Sequence, residues 1–99
     1  MLTAMPARHD PEVHVRRTFF RDGRLTTLPA RESYRMAALA ALAERFERDR
    51  LYDEREVNDV LADDAPDAAT LRRLLVDHGY LGRRNGTYWR ERPSPPAAN

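Results

Sequence analysis

The chain has 99 residues, a formal net charge of +1 and no cysteine. That length fits one domain, and the missing cysteines exclude disulfides, thiolate metal sites and cysteine nucleophiles. No apolar run approaches the roughly 18 residues of a transmembrane helix and Met1 to Pro6 lacks a signal-peptide core, so no membrane contact and a cytoplasmic location are expected.

Every one of the 17 basic residues is arginine. The near-neutral sum hides a segregation: residues 8–35 carry +3, residues 36–50 balance, residues 51–70 carry −6 and residues 71–92 carry +4. Sign asymmetry of this kind matters more than the total. A basic last third suits a polyanion, and an acidic middle has to face away from it.

Residues 1–9 show no periodic pattern and are expected to be disordered. Asp10-Pro11-Glu12 reads as a helix start, with a cap, a proline in the first turn and an acid at the positive end. Val15, Phe19 and Phe20 give it an apolar stripe, and Asp22-Gly23 ends it. The rival reading makes Asp22-Gly23 a hairpin turn; the four-residue spacing of Val15 and Phe19 favours the helix. Leu25 to Leu28 is strand-like, and Pro29 closes it. Residues 31–48 form the longest predicted helix, with Leu39, Leu42 and Phe46 at helical spacing and Glu44 and Arg48 as an i,i+4 pair.

Asp53 and Glu56 make an Asp variant of the capping box, and Tyr52 with Val57 fits a hydrophobic staple. The helix 53–63 ends at Asp63-Asp64-Ala65-Pro66. Asp67 caps the next, helix 67–78, whose buried stripe is Leu71, Leu74 and Leu75. Gly79 suits a left-handed terminus, with Tyr80 packing back on Leu75. Asn85-Gly86 between two strand-like runs predicts a hairpin with Arg83 opposite Tyr88 and Gly82 opposite Trp89. Residues 91–99 are expected to be a flexible tail. The expected architecture is one domain over residues 10–90. It is a mainly α winged helix-turn-helix, with a three-helix core, a C-terminal β-hairpin wing over residues 80–90 and an extra N-terminal helix. Leu25 to Leu28 is placed as a third strand or under the wing.

Asp67 to Arg90 resembles the recognition-helix-and-wing stretch of bacterial winged-helix regulators. More closely, Phe19 to Trp89 resembles the uncharacterised prokaryotic family called domain of unknown function 2087. The matching stretches are Phe20-Arg21-Asp22-Gly23-Arg24-Leu25, Leu28-Pro29, Tyr52-Asp53-Glu54-Arg55-Glu56-Val57-Asn58, Leu71-Arg72-Arg73-Leu74-Leu75-Val76-Asp77 and Gly86-Thr87-Tyr88-Trp89. The resemblance implies a small winged-helix-like module, sometimes attached to transcriptional regulators, and brings no established biochemical activity.

Helical periodicity points Ala69, Arg73 and Val76 outward, with Thr70, Arg72 and Asp77 on the flanks. The expected partner is double-stranded DNA. Arg73 reads a guanine edge, Thr70 binds phosphate, Ala69 or Val76 touches a thymine methyl, and Arg72 joins from the flank. Arg83, Arg84 and Arg90 of the wing meet phosphate or the minor groove. The plainer expectation is that these arginines are paired internally, Arg73 with Asp77 and Arg72 with acids of helix 53–63. Asp63, Asp64 and Asp67 argue against DNA, and capping accounts only for the last of them.

The alternative is a protein-interaction or dimerisation module using the acidic face of helix 53–63. A homodimer through the N-terminal helix has Val15, Phe19 and Phe20 as its seam. His9 and His14 are five residues apart, a poor spacing for shared ligation on one helix, so no metal and no cofactor are expected. The sequence has no glycine-rich phosphate loop and no nucleophile elbow, so an enzyme is not expected.

Overall fold

The computed structural model describes residues 9–91. The frayed start and the loose tail expected from the sequence fall, apart from His9 and Glu91, outside that range. The described residues form an α+β unit of four helices and two small antiparallel sheets, so the mainly α expectation is corrected toward more strand. None of the helices is long and apolar enough to cross a membrane.

Helix α1 (Pro11–Thr18) starts as its sequence dictates, with the Asp10 carboxylate accepting the Glu12 N–H at 2.9 Å. It stops earlier than expected. Asp22-Gly23 does not end a helix but turns a hairpin between β1 (Phe20–Arg21) and β2 (Arg24–Leu25). Both turn residues have positive φ, 53° and 80°, as a turn matched to strand twist requires. The Phe19 carbonyl is taken by the Thr26 N–H at 2.8 Å and the Thr26 hydroxyl at 3.0 Å. Leu25 therefore belongs to this hairpin, and the third strand of the C-terminal sheet comes from elsewhere. Val15 is fully buried, and Phe19 and Phe20 pack against the core. Of the residues expected to form a dimer seam, Val15 is thus interior and Phe19 and Phe20 are half-buried, while Val13 of α1 is exposed.

Helix α2 (Glu32–Ala43) ends five residues short of the expected boundary. Phe46 tucks into the core, edge-on to Tyr52 at 5.1 Å, and Asp49 takes a left-handed conformation with φ 63°. The predicted Glu44–Arg48 pair is absent; Glu44 meets Arg16 of α1 at 3.0 Å. Strand β3 (Leu51–Asp53) follows, unanticipated because a three-residue run carries no readable period. Tyr52 is thus both a strand residue and, as expected, buried in the same cluster as Val57.

Helix α3 (Glu54–Val60) opens with the predicted capping box: the Glu56 N–H donates to Asp53 at 2.8 Å and the Asp53 N–H to Glu56 at 2.9 Å. Helix α4 (Ala68–Asp77) is capped by Asp67 and ends on Gly79, φ 81°. There the Tyr80 N–H reaches back to the Leu75 carbonyl at 2.8 Å. Strands β4 (Leu81–Arg84) and β5 (Thr87–Arg90) form the predicted hairpin in the predicted register, and β3 completes the sheet in the order β3-β5-β4. A Cβ on Gly82 would land inside the Trp89 indole, so the ring lies flat across that position on the outer face of the sheet. Leu51, opposite Trp89 on the other side, is 67% exposed.

The core gathers Leu39 and Leu42 of α2 with Val15, Leu25, Phe46, Tyr52, Val57, Leu61, Leu71, Leu75, Leu81 and Tyr88. Each large member contributes about 1.5–3 kcal/mol.

Asp64, without a rationale in the sequence, is buried beneath this core's edge. It accepts Arg45 at 2.5 and 2.8 Å and the Leu25 N–H at 2.7 Å, while the Ala65 N–H donates to the Leu25 carbonyl at 2.9 Å. Arg45 also reaches the Gly23 and Val60 carbonyls. Asp64 is therefore a strut between the first hairpin and the α3–α4 turn, and no part of an exposed acidic face. Its neighbour Asp63 is exposed and lies 3.5 Å from Arg24.

Candidate nucleic-acid interface

Helix α4 and the β4–β5 hairpin meet along a cleft of about 200 Å³ lined by Arg72, Arg73, Val76, Asp77, Arg83 and Tyr88. Leu71 and Leu75 are fully buried, which turns Ala69 and Arg73 to solvent as the helical period predicts and leaves Thr70 and Val76 half-buried, so Val76 is less outward than expected. Val76 packs in part against the core. The Thr70 N–H and hydroxyl both donate to Asp67, at 2.8 and 3.0 Å, so the hydroxyl expected on phosphate is engaged with the cap. These donors, the Thr70 N–H first, hold the Asp67 carboxyl below the usual carboxylate range, and Arg73 adds a weaker attraction.

The five arginines expected at the interface separate into three groups. Arg72 is bonded to the Asn58 side-chain oxygen and lies 3.7 Å from Glu54, with its side chain only 17% exposed. It braces α4 against α3, as the plainer sequence expectation has it. Arg90 donates to the Phe46 carbonyl at 3.3 Å and faces the inner side of the sheet. Arg73, Arg83 and Arg84 are exposed and have no carboxylate within ion-pair distance among the described residues. Asp77, four residues after Arg73, makes no ion pair with it. The register separates the last two: Arg83 shares the face of Tyr88, with its guanidinium 5.9 Å from that ring, and Arg84 lies on the opposite face. Arg73 and Arg83 are thus brought together, and the other predicted contacts are spread around them.

Most carboxylates of residues 53–64 are spent inside the molecule. Glu54 meets Arg72, Glu56 meets Arg50 and closes the capping box, Asp63 meets Arg24 and Asp64 meets Arg45. An aromatic cluster at the N-terminus was not foreseen. His9 lies before the helix, so the spacing argument does not apply to it; its Nε2 is 2.6 Å from the Tyr34 hydroxyl. His14 stacks on Tyr34 at 4.5 Å. No group of three or more His, Cys, Asp or Glu residues among the described ones converges to hold a metal.

No curated protein and no solved structure matches the chain. A family model described as "Uncharacterized protein conserved in bacteria (DUF2087)" matches residues 24–90. That span runs from the first hairpin's second strand to the end of β5, and holds both walls of the cleft and the Arg45–Asp64 strut. The chain belongs to this bacterial family, domain of unknown function 2087.

Proposed function

We propose that residues 32–90 form a winged helix-turn-helix, that the chain binds double-stranded DNA and that it acts in transcription regulation. The element order α2-β3-α3-α4-β4-β5, with β3 paired on the far side of β5, supports the fold. In this arrangement α4 enters the major groove with its Ala69 and Arg73 stripe, and the β4–β5 hairpin lies on the adjoining backbone. The observation that carries the reading is the pair Arg73 and Arg83, contributed by two different elements to one cleft and each without a carboxylate at ion-pair distance among the described residues. The acidic segment offers no comparable free face, because its carboxylates are largely engaged by Arg24, Arg45, Arg50 and Arg72.

Fluorescence anisotropy with labelled duplex DNA across a salt series tests this. Two to three phosphate contacts give a slope of log K against log salt of about −1.8 to −2.7, or about 12- to 40-fold weaker binding for a fourfold rise in salt. Arg84→Ala weakens binding to all duplexes alike. Absence of any complex at low salt overturns the reading.

A further inference from the structure

The lips of the cleft carry like charges from separate elements. Arg73 stands on α4 and Arg83 on β4, and neither has a carboxylate partner among the described residues. Arg72, the third arginine lining the space, is held by Asn58 and Glu54 and is not available to swing. Tyr88, 2% exposed, forms part of the floor and Val76 one wall. Arg83 is kept on this side of the sheet by the strand register and by its seat beside the Tyr88 ring. A cleft of about 200 Å³ between two elements is large enough to take one phosphodiester. Two uncompensated guanidiniums facing such a space are stabilised by one shared anion, to which each offers a planar fork of donors.

We propose that this cleft is a single-phosphate clamp in which Arg73 and Arg83 grip the same phosphodiester of one DNA strand, so that Arg73 acts on the backbone and does not read a guanine. The inference rests on the DNA-binding reading. A strand passing from the groove that holds α4 to the one beside the hairpin crosses the gap between these two elements. Asp77 is the single carboxylate lining the cleft, and it weakens the grip.

The test is the salt slope of four proteins on one duplex: the native chain, Arg73→Ala, Arg83→Ala and the double variant. If both arginines hold one phosphate, either alone still neutralises it. Each single variant then binds more weakly with a nearly unchanged slope, and the double variant loses about 0.9. A loss of about 0.9 in each single variant and about 1.8 in the double assigns two separate phosphates. That outcome overturns the clamp and leaves DNA binding standing, whereas a native chain that binds no duplex overturns both. A panel of base-pair substitutions supplies the second measurement. The clamp requires Arg73→Ala to weaken all duplexes equally, and a loss confined to one G·C position overturns it. Asp77→Asn tightens binding roughly two- to threefold if it lies about 8 Å from the phosphate in water-like dielectric; unchanged or weaker binding counts against the clamp.

Discussion

Replacing Asp64 with alanine removes three hydrogen bonds at once and strands the groups that made them. The Asp64 side chain is 1% exposed, and the Leu25 N–H it accepts at 2.7 Å is buried with it. Leaving that N–H without a partner costs about 1–3 kcal/mol. Arg45 loses its counter-charge, the kind of loss that costs about 3–5 kcal/mol when both ions are fully buried. The Arg45 side chain is 25% exposed and keeps the Gly23 and Val60 carbonyls, which places the total at about 3–4 kcal/mol. For a domain of this size each kcal/mol moves Tm by about 4–8 °C, so the melt falls by about 12–30 °C. Against a typical stability of about 5–15 kcal/mol the variant is folded but weakened. Thermal and urea melts followed by circular dichroism measure it. Asp64→Asn keeps an oxygen for Leu25 and gives up the charge, so its loss is smaller. A double-mutant cycle with Arg45→Ala shows a coupling of about 2 kcal/mol. An Asp64→Ala loss under about 1 kcal/mol, or strict additivity with Arg45→Ala, refutes the strut and makes the pair no better than a surface salt bridge.

Gly82→Ala drives a methyl group into the Trp89 indole and destabilises the hairpin by about 1–3 kcal/mol as the ring is pushed off the sheet. Trp89 is the only tryptophan, so its emission reports the displacement directly, and an unchanged spectrum and urea midpoint reject the stacked placement. The Asp67 carboxyl, held below its ordinary range by the Thr70 N–H, stabilises the native state at pH values above that range. This contribution disappears as pH falls through the native value. The stability gap between the native chain and Asp67→Ala is therefore wide at neutral pH and narrows in acid; equal gaps at both would show that the carboxylate charge has no part in the cap.

Local rules carried far in this sequence where a side chain and its partner lie within a few residues. The Asp53–Glu56 box, the Asp67 cap, the Gly79 terminus and the Asn85-Gly86 hairpin with its register all depend on neighbours, and all formed as read. Errors arose where a distant partner decides. Residues 44–48 look helical by composition, but the buried Asp64 draws Arg45 out of the helix and Phe46 follows into the core. Leu51 to Asp53 is too short to show alternation and becomes a strand only because β5 offers it a ladder. At Asp22-Gly23 a short apolar stripe outweighed the stronger turn signal, since Phe19 and Phe20 reach the core from a hairpin as well as from a helix. At the candidate site, periodicity gave the outward stripe of α4. Convergence of Arg73 with Arg83 and capture of Arg72 by Asn58 needed the third dimension.

The tie between Leu25 and residues 64–65 spans nearly forty positions, yet it supplies both the amide and the carbonyl of Leu25 with partners. The first hairpin is therefore part of the scaffolding that holds the turn leading into α4. Anyone excising a minimal cassette at the start of α2 would cut that scaffolding away, and the transplanted helix would arrive without the backing that sets its pose. The smallest portable unit begins no later than Gly23, whose carbonyl is the outermost anchor of Arg45.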